Sequence, residues 1–285
     1  MKIAVVPNNY QDIEEYNKIG ANAFIFGLKG YSSGYKVNLS LEEILKIKEK
    51  NKNIEIFIAI NKNIFNDELK YLEESLVKLD EIKVSGILFY DLSILNIKLK
   101  NNLSVPLVWN QTHMVTNYNT CNYYYSKGVE YGILSSEITL DEINEIKAKT
   151  EMKLFVNVVG YQTMAYTRRK LLNNFFISNG KEKMKDKYII KNDGKDYIIE
   201  EEQNGNAILN GELLNGSIIV PNLDIEYLIL NENNIPKKLF LEVLSCYRKL
   251  VDTKDEKYIR KVDSLIGDNR GFFFKKTIYK VKKNG

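Results

Sequence analysis

Residues that bind soft metals or form disulfides are scarce in this sequence. It contains two cysteines, Cys121 and Cys246, and one histidine, His113, among 285 residues. Two distant cysteines with no CxxC spacing exclude both a disulfide framework and a cluster held by four thiolates, and one histidine excludes a His-rich metal site. We interpret both cysteines as small buried apolar residues and predict neither a metal site nor a cofactor.

Long apolar runs and a large charge of one sign are also absent. No run approaches the roughly 20 residues that cross a bilayer, and the apolar stretch at the N-terminus is too short for a signal peptide. The 41 basic and 37 acidic residues leave a net charge of +4, which allows an RNA partner but does not by itself indicate one. We therefore expect a cytoplasmic protein without membrane association.

Several common catalytic motifs are missing as well. The sequence has no GxGxxG, no GxxxxGK[ST] and no zinc-protease motif. His113 has no nucleophile elbow to serve, and it lies on a loop without an orienting carboxylate close by in sequence. Peptidase activity therefore has no recognisable basis in the motifs.

Continuous apolar strands alternate with amphipathic helices through the first part of the chain. Predicted strands cover residues 3–7, 23–28, 54–60, 86–90, 106–109, 131–134 and 154–159, and predicted helices cover 11–19, 41–51, 67–78, 92–99, 118–127, 140–150 and a last stretch to about 174 that carries Arg168 and Arg169. Capping boxes begin two helices, at Ser40 with Glu43 and at Thr139 with Glu142. Seven such units favour an α/β fold of the (β/α)8 TIM-like barrel type, with an open doubly wound sheet as the alternative.

A β-rich insertion of residues 177–216 interrupts this alternation after the seventh helix. A hairpin is predicted to turn at Asp193-Gly194 and a second at Asn204-Gly205. The eighth strand is expected at 227–230, the eighth helix at 237–251 with Pro236 at its first turn, and a further helix at 254–265. We expect one domain, 1–285, in which residues 252–285 form a C-terminal helix and an aromatic tail that packs on the rest.

The functional face of such a barrel lies at the carboxyl ends of its strands. The residues at those ends are mostly amides and other neutral polar groups: Asn8, Gly27, Asn61, Asp91, Asn110, Gln111, His113, Ser135, Glu137, Asn157 and Tyr161. Amides bind neutral heterocycles and sugar hydroxyls but do not act as acids or bases near pH 7. Glu137 is a candidate base or ligand anchor, or simply a charge at a helix N-terminus, and Asp91 is a candidate ligand group or a helix cap.

Three blocks of sequence resemble the peptidase U32 family. They are residues 116–123 with Lys127-Gly128, residues 166–176, and residues 271–279. In the strand–glycine–helix unit around Gly160, Lys170 stands where those relatives have the first of four cysteines that would hold an iron–sulfur cluster. Gly160, Asn117, Glu137, Arg168 and Arg169 match family positions.

The resemblance is to the shorter, cysteine-poor branch of the family. It implies a cluster-less subunit for 5-hydroxylation of the wobble uridine of tRNA, with prephenate as the source of the hydroxyl group. The implied partners are a longer, cysteine-bearing U32 paralogue and tRNA. Alternatives are a stand-alone barrel enzyme for a small anionic, prephenate-like substrate, and a peptidase as the family label states.

Roles for individual residues follow as predictions. Glu137 and Arg168 are the candidate catalytic residues, with an inward arginine expected to bind a carboxylate or phosphate; a solvated helix face is the other interpretation of the arginines. The candidate substrate- or RNA-binding residues are Asn61, Asp91, Asn110, Gln111, His113, Asn117, Asn157, Tyr161 and Arg169.

Overall fold

The computed structural model describes residues 1–111, 113–202 and 205–275. In chain order its elements are β1 (Lys2–Val6), α1 (Ile13–Ile19), β2 (Ala23–Leu28), β3 (Asn38–Leu39), α2 (Leu41–Lys50), β4 (Glu55–Ile60), α3 (Leu69–Ile82), β5 (Gly86–Phe89), α4 (Ser93–Asn101), β6 (Leu107–Trp109), α5 (Tyr118–Ser126), β7 (Tyr131–Ile133), α6 (Leu140–Lys149), β8 (Lys153–Thr167), α7 (Leu171–Ser178), β9 (Lys187–Asn192), β10 (Lys195–Glu202), β11 (Gly205–Asn215), β12 (Tyr227–Asn231), α8 (Lys237–Thr253) and α9 (Lys257–Ile266). None of these helices is long and apolar enough to cross a membrane.

Eight parallel strands close into a barrel. The order around the ring is β1, β2, β4, β5, β6, β7, β8 and β12. The last strand, β12, completes the ring because Tyr227 pairs with Phe155 of β8 on one side and with Lys2 of β1 on the other. The predicted (β/α)8 barrel is confirmed, and the alternative of an open sheet is wrong.

Side chains fill the interior of the barrel below its mouth. Phe57, Phe155 and Tyr227 pack at the lower end, where the rings of Phe155 and Tyr227 stack with their centroids 4.2 Å apart. Small and branched residues such as Ala4 and Leu88 fill the middle. A second, larger core lies between the strands and the surrounding helices. At the carboxyl ends of the strands this packing leaves space for a ligand.

Both predicted capping boxes are present. The Ser40 hydroxyl accepts a hydrogen bond from the backbone N–H of Glu43, whose carboxylate accepts one from the N–H of Ser40 at 2.8 Å. Thr139 and Glu142 are joined in the same way at the start of α6. These helix starts are local signals, and the capping interactions satisfy N–H groups that the helix itself leaves without partners.

The predicted arginine helix is wrong. Strand β8 does not end near Val159 but continues to Thr167, and α7 begins only at Leu171. The upper half of β8 pairs antiparallel with β11, which supplies hydrogen-bond partners that a local sequence pattern cannot show. The change of partner occurs at Gly160, whose φ of +140° suits glycine and where a Cβ would lie 2.9 Å from Cβ of Asn231.

The insertion is a three-stranded antiparallel extension of the sheet. The first predicted turn is confirmed: Asp193 and Gly194, with φ of 49° and 74°, join β9 to β10. Of the second predicted turn, Asn204 lies outside the described residues and Gly205 is the first residue of β11. Most of the predicted aromatic tail also lies outside them, but Phe273 is buried and its carbonyl accepts the N–H of Leu140.

A buried carboxylate ties the insertion together. Glu201 on β10 is 6% exposed, forms an ion pair with Lys183 at 2.6 Å and accepts the backbone N–H of Asn173 at 3.0 Å. Burial by itself would raise the pKa of Glu201, but the hydrogen bonds from Lys183 and from the Asn173 backbone outweigh it and lower the pKa. Glu201 thus joins α7, the segment after it and β10.

Replacing Glu201 by glutamine is expected to lower the free energy of unfolding at pH 7 by roughly 1.5–3 kcal/mol, because a charged hydrogen-bond acceptor is lost. A lowered folded pKa means that the stabilising effect is complete above the unfolded value of about 4.3 and disappears as the pH falls through the folded value. The difference between wild type and Glu201→Gln in urea unfolding should therefore shrink below about pH 4.3. A difference that stays constant with pH, or an equal effect of Glu182→Gln at an exposed position, would contradict this assignment.

Candidate ligand-binding site at the barrel mouth

A small polar cavity lies at the carboxyl ends of the barrel strands. Four asparagines reach it from four strands: Asn61 after β4, Asn110 after β6, Asn157 on β8 and Asn231 at the end of β12. Apolar residues of the barrel interior form its floor, and its volume is about 180 Å³. The lining residues are Val6, Ile25, Ser33, Gly34, Tyr35, Asn61, Leu88, Asn110, His113, Ile133, Ser136, Asn157, Val159, Gly160, Tyr161, Gln162, Thr163, Leu214, Ile229 and Asn231.

The wall of this cavity is electrically neutral apart from one histidine. Within the described ranges, no Asp, Glu, Lys or Arg contributes to the lining. His113 stands at the edge with 61% of its side chain exposed. Amide, hydroxyl and imidazole groups on an apolar floor are suited to a small polar ligand without net charge.

The four amides differ in how their hydrogen bonds are used. Asn61 is fully engaged with the backbone of Ser33: its oxygen accepts the Ser33 N–H and its NH2 group donates to the Ser33 carbonyl, both at 2.9 Å. The oxygen of Asn231 accepts the N–H of Asn233 at 2.9 Å. The side chains of Asn110 and Asn157, by contrast, make no hydrogen bond to any part of the chain that the structure describes, although Asn110 is only 8% exposed.

A loop after β2 covers one side of the cavity and is held there by the insertion. Gly34 donates its backbone N–H to the Glu202 carboxylate at 2.8 Å, and Lys36 lies 3.4 Å from Glu200. Tyr35 packs against the side chains of the barrel interior, and burial raises the pKa of its hydroxyl, which stays protonated as a hydrogen-bonding group. The loop is therefore held on both sides of Tyr35, at Gly34 and at Lys36.

Five of the predicted site residues meet at this cavity: Asn61, Asn110, His113, Asn157 and Tyr161. Others at the same strand ends serve the fold instead. Asp91 accepts backbone N–H groups of Ser93 and Ile64, and Gln111 links the Trp109 indole to the Tyr90 carbonyl. Asn117 caps α5 by accepting the N–H of Thr120 at 2.9 Å.

His113 has a carboxylate beside it after all. Its Nδ1 lies 3.5 Å from an oxygen of Glu137, because the loops after β6 and β7 are neighbours in the ring. The sequence did not indicate this pair, because the two residues follow different strands. Both side chains are more than 40% exposed, at 61% and 47%, so the pair lies at the rim and is screened by solvent.

Neither arginine of the family block points into the cavity. The Arg168 guanidinium lies over the Phe65 ring, 4.0 Å from its centroid, and donates to the carbonyl of Asn63 at 3.3 Å. Arg169 is exposed, and its guanidinium has no hydrogen bond or ion pair within the described ranges. The expected inward arginine is therefore absent from the lining, because the segment that carries both is a bend rather than a helix.

The residues do not fit the iron–sulfur cluster that the family resemblance raises. Four thiolates are required, and the chain has two cysteines, both buried. Burial raises the pKa of the Cys121 thiol to about 11 and also raises the pKa of Cys246. Among the described residues, no three His, Cys, Asp or Glu side chains are grouped so that they could hold a metal ion.

Several residues of the cavity lining were not predicted from the sequence, among them Asn231 and Tyr35. Asn231 directly follows the predicted eighth strand, so the strand-end position could have predicted it as a residue of the mouth. Tyr35 gave no signal, because it comes from a loop whose return into the barrel depends on the contacts of Asn61 and Glu202 with Ser33 and Gly34.

The fold and the site define an α/β barrel protein with a neutral, amide-lined mouth and a β-sheet extension beside it. The model of peptidase family U32 matches residues 8–275. The chain belongs to this family.

Comparison with curated relatives gives one match along the whole length. The chain is 28% identical to tRNA hydroxylation protein P2 of Bacillus subtilis, over 98% of this chain and 99% of that protein. It is also 28% identical to tRNA hydroxylation protein P1 of the same bacterium, over 54% of this chain but only 37% of P1, which is thus a longer protein. A match to tRNA hydroxylation protein P of Helicobacter pylori is 26% identical and covers 57% of this chain and 42% of that one.

Because Asn61 is hydrogen-bonded within the chain and Asn110 is not, replacing them should have different effects on stability. Asn61→Leu should lower the free energy of unfolding by roughly 1–3 kcal/mol, because the Ser33 N–H and carbonyl lose their partner. Asn110→Leu, close in size, should leave it unchanged or raise it, because no hydrogen bond within the chain is lost. Urea unfolding of both variants checks the contrast. Equal destabilisation would show that Asn110 has a structural role in the fold.

Proposed function

We propose that this protein takes part in tRNA hydroxylation as a U32 subunit without a cluster of its own. The observation that carries the proposal is the match to tRNA hydroxylation protein P2 over 98% of this chain and 99% of that protein. A match of this extent includes the insertion and the C-terminal helices as well as the barrel. We further propose that the modification is 5-hydroxylation of the wobble uridine with prephenate as hydroxyl source, and that it takes place in the cytoplasm.

The proposed partner is a longer, cysteine-bearing U32 paralogue. Support comes from the two cysteines of this chain, which are buried thiols with raised pKa and are too few for a cluster. The protein named P1 is longer than this chain and shares similarity with it over 54% of this chain. In this division of roles the partner supplies the redox chemistry, and this chain contributes binding of tRNA, of the partner or of both.

Basic residues beside the mouth support contact with RNA. Arg169 is exposed and unpaired within the described ranges, and the adjacent Lys170 lies on the insertion through a 2.9 Å bond to the Glu202 carbonyl. Arg168 is held against Phe65 and therefore has a defined position. These cations lie outside the neutral cavity, where phosphates of a strand that enters the mouth would pass.

The rim pair supports the second candidate, a stand-alone barrel enzyme. Glu137 and His113 are 3.5 Å apart and could exchange a proton with a substrate at the cavity edge. The proposed anionic substrate, however, would find no Lys or Arg among the described lining residues. Thermal shift with prephenate on the isolated chain separates the two proposals, since a ligand at 100 times its Kd stabilises by about 2.7 kcal/mol.

Deletion of the gene in its native cell is expected to remove or strongly reduce 5-hydroxyuridine in digested tRNA, measured by mass spectrometry. A plasmid copy should restore it, and so should a Cys121→Ala/Cys246→Ala copy, because the proposed role needs no thiolate. Affinity purification of the plasmid-encoded chain should recover a longer U32 protein. Unchanged 5-hydroxyuridine after deletion would refute the proposed function, and loss of rescue by a folded double variant would refute the role without thiol chemistry.

Arg169→Ala is expected to weaken tRNA binding by the chain, or by the chain with its co-purified partner. The slope of log K against log salt concentration should fall by about one, the amount expected for one lost phosphate contact. Filter binding at several salt concentrations measures this slope. Lys78→Ala, on the barrel flank at α3 and paired with Glu81, is the matched control. An unchanged slope in Arg169→Ala would remove this residue from the RNA-binding surface.

A further inference from the structure

Two carboxamides at the mouth are not used by any hydrogen bond of the described chain. Asn110 is 8% exposed and lines the cavity together with Asn157, yet neither side chain has a hydrogen-bond partner within the described ranges. Neither residue is among those with a buried and unpartnered polar atom, so both amides remain accessible from the cavity and can bond to a molecule that enters it. Their neighbour Asn61, by contrast, has both of its amide groups bonded to Ser33. The two accessible amides therefore point to a ligand.

The size of the cavity limits that ligand to about one ring. Sites for drug-sized molecules have volumes of roughly 300–1,000 Å³, whereas this one measures about 180 Å³. Two tyrosines, Tyr35 and Tyr161, contribute aromatic surface to the lining. Flat rings with polar edges are bound in proteins by such combinations of aromatic side chains and amides.

Charge restricts the ligand further. The lining within the described ranges contains no Lys or Arg, so an anion with two carboxylates would be desolvated there without a counter-ion, which is strongly unfavourable. Arg168 and Arg169, which follow the lining residues of β8 along the chain, lie outside the mouth. The cavity is thus suited to a neutral ring. The surface beside it, which carries Arg168 and Arg169, is suited to a charged chain attached to that ring.

We propose that the barrel mouth binds the uracil base of a uridine, with the carboxamides of Asn110 and Asn157 on its imide edge. This inference rests on the proposed function, and it names the chemical group that the site receives. Uracil presents an N3–H donor between two carbonyl acceptors. A carboxamide carries an acceptor oxygen beside a donor NH2 group, so it matches this edge at two points.

The cavity is formed before any ligand arrives. Asn61 holds Ser33, and Glu202 accepts the N–H of Gly34, so that the loop carrying Tyr35 is fixed over the cavity from two sides. A rigid site loses little freedom on binding. A base in a stacked strand cannot reach such a site, so the uridine enters from an unpaired loop or turned out of its stack.

Binding of uridine to the purified full chain, measured by titration in ligand-observed NMR, tests the proposal. Wild type should bind uridine, and should bind 3-methyluridine, which lacks the N3–H, at least about tenfold more weakly, a loss typical of one missed base-edge contact. Asn110→Leu and Asn157→Leu should each lose at least about tenfold in uridine affinity while unfolding at the urea concentration of wild type or at a higher one. Asn119→Ala, at an exposed asparagine of α5, should bind like wild type.

Three results would overturn the proposal: no binding of uridine, equal binding of 3-methyluridine or of ribose alone, or unchanged affinity in both leucine variants. The tests of the two proposals are independent. Loss of 5-hydroxyuridine on gene deletion without uridine binding would leave the proposed function standing and refute the base site. Amide-dependent uridine binding with unchanged 5-hydroxyuridine after deletion would do the reverse.

Discussion

Parallel pairing of β12 with both β8 and β1 is the constraint on which the site depends. Tyr227 lies in register with Phe155 on one side and Lys2 on the other, so the sheet has no free edge in its barrel part. Closure brings the ends of β4, β6, β8 and β12 to one rim, and with them four asparagines that are far apart in sequence. An open sheet of the same strands would place those amides along a line instead of around a cavity.

The insertion completes the site from outside the ring. At Gly160 the chain leaves the barrel geometry, and the second half of β8 becomes the base on which β11, β10 and β9 are added. Glu202, at the end of β10, then accepts the N–H of Gly34 and holds the loop over the mouth. Because β8 belongs to both sheets, the position of the loop is coupled to that of the barrel strands.

Neutral and cationic side chains occupy separate regions at the mouth, as the proposed RNA ligand would require. The described lining of the mouth is neutral apart from His113, while Arg169 and Lys170 follow directly on the extended β8. A nucleic acid has the same division, with neutral bases and charged phosphates. This chain has the arrangement on a scaffold whose two cysteines, Cys121 and Cys246, are free and buried.

The sequence by itself determined the alternation of strands and helices, which favours a barrel. Continuous apolar strands, two capping boxes and the Asp193-Gly194 turn are local patterns, and the position of residues at strand ends predicted Asn61, Asn110, His113, Asn157 and Tyr161 at the mouth. Only the tertiary structure decided which of these amides remain unpaired, that Glu137 stands beside His113, and that β8 extends through Thr167 instead of giving way to an arginine helix. The physical reason is that each of these depends on a partner distant in sequence. Strand β11, the loop at Ser33 and the neighbouring loop after β7 supply hydrogen bonds and charges that no local periodicity can indicate.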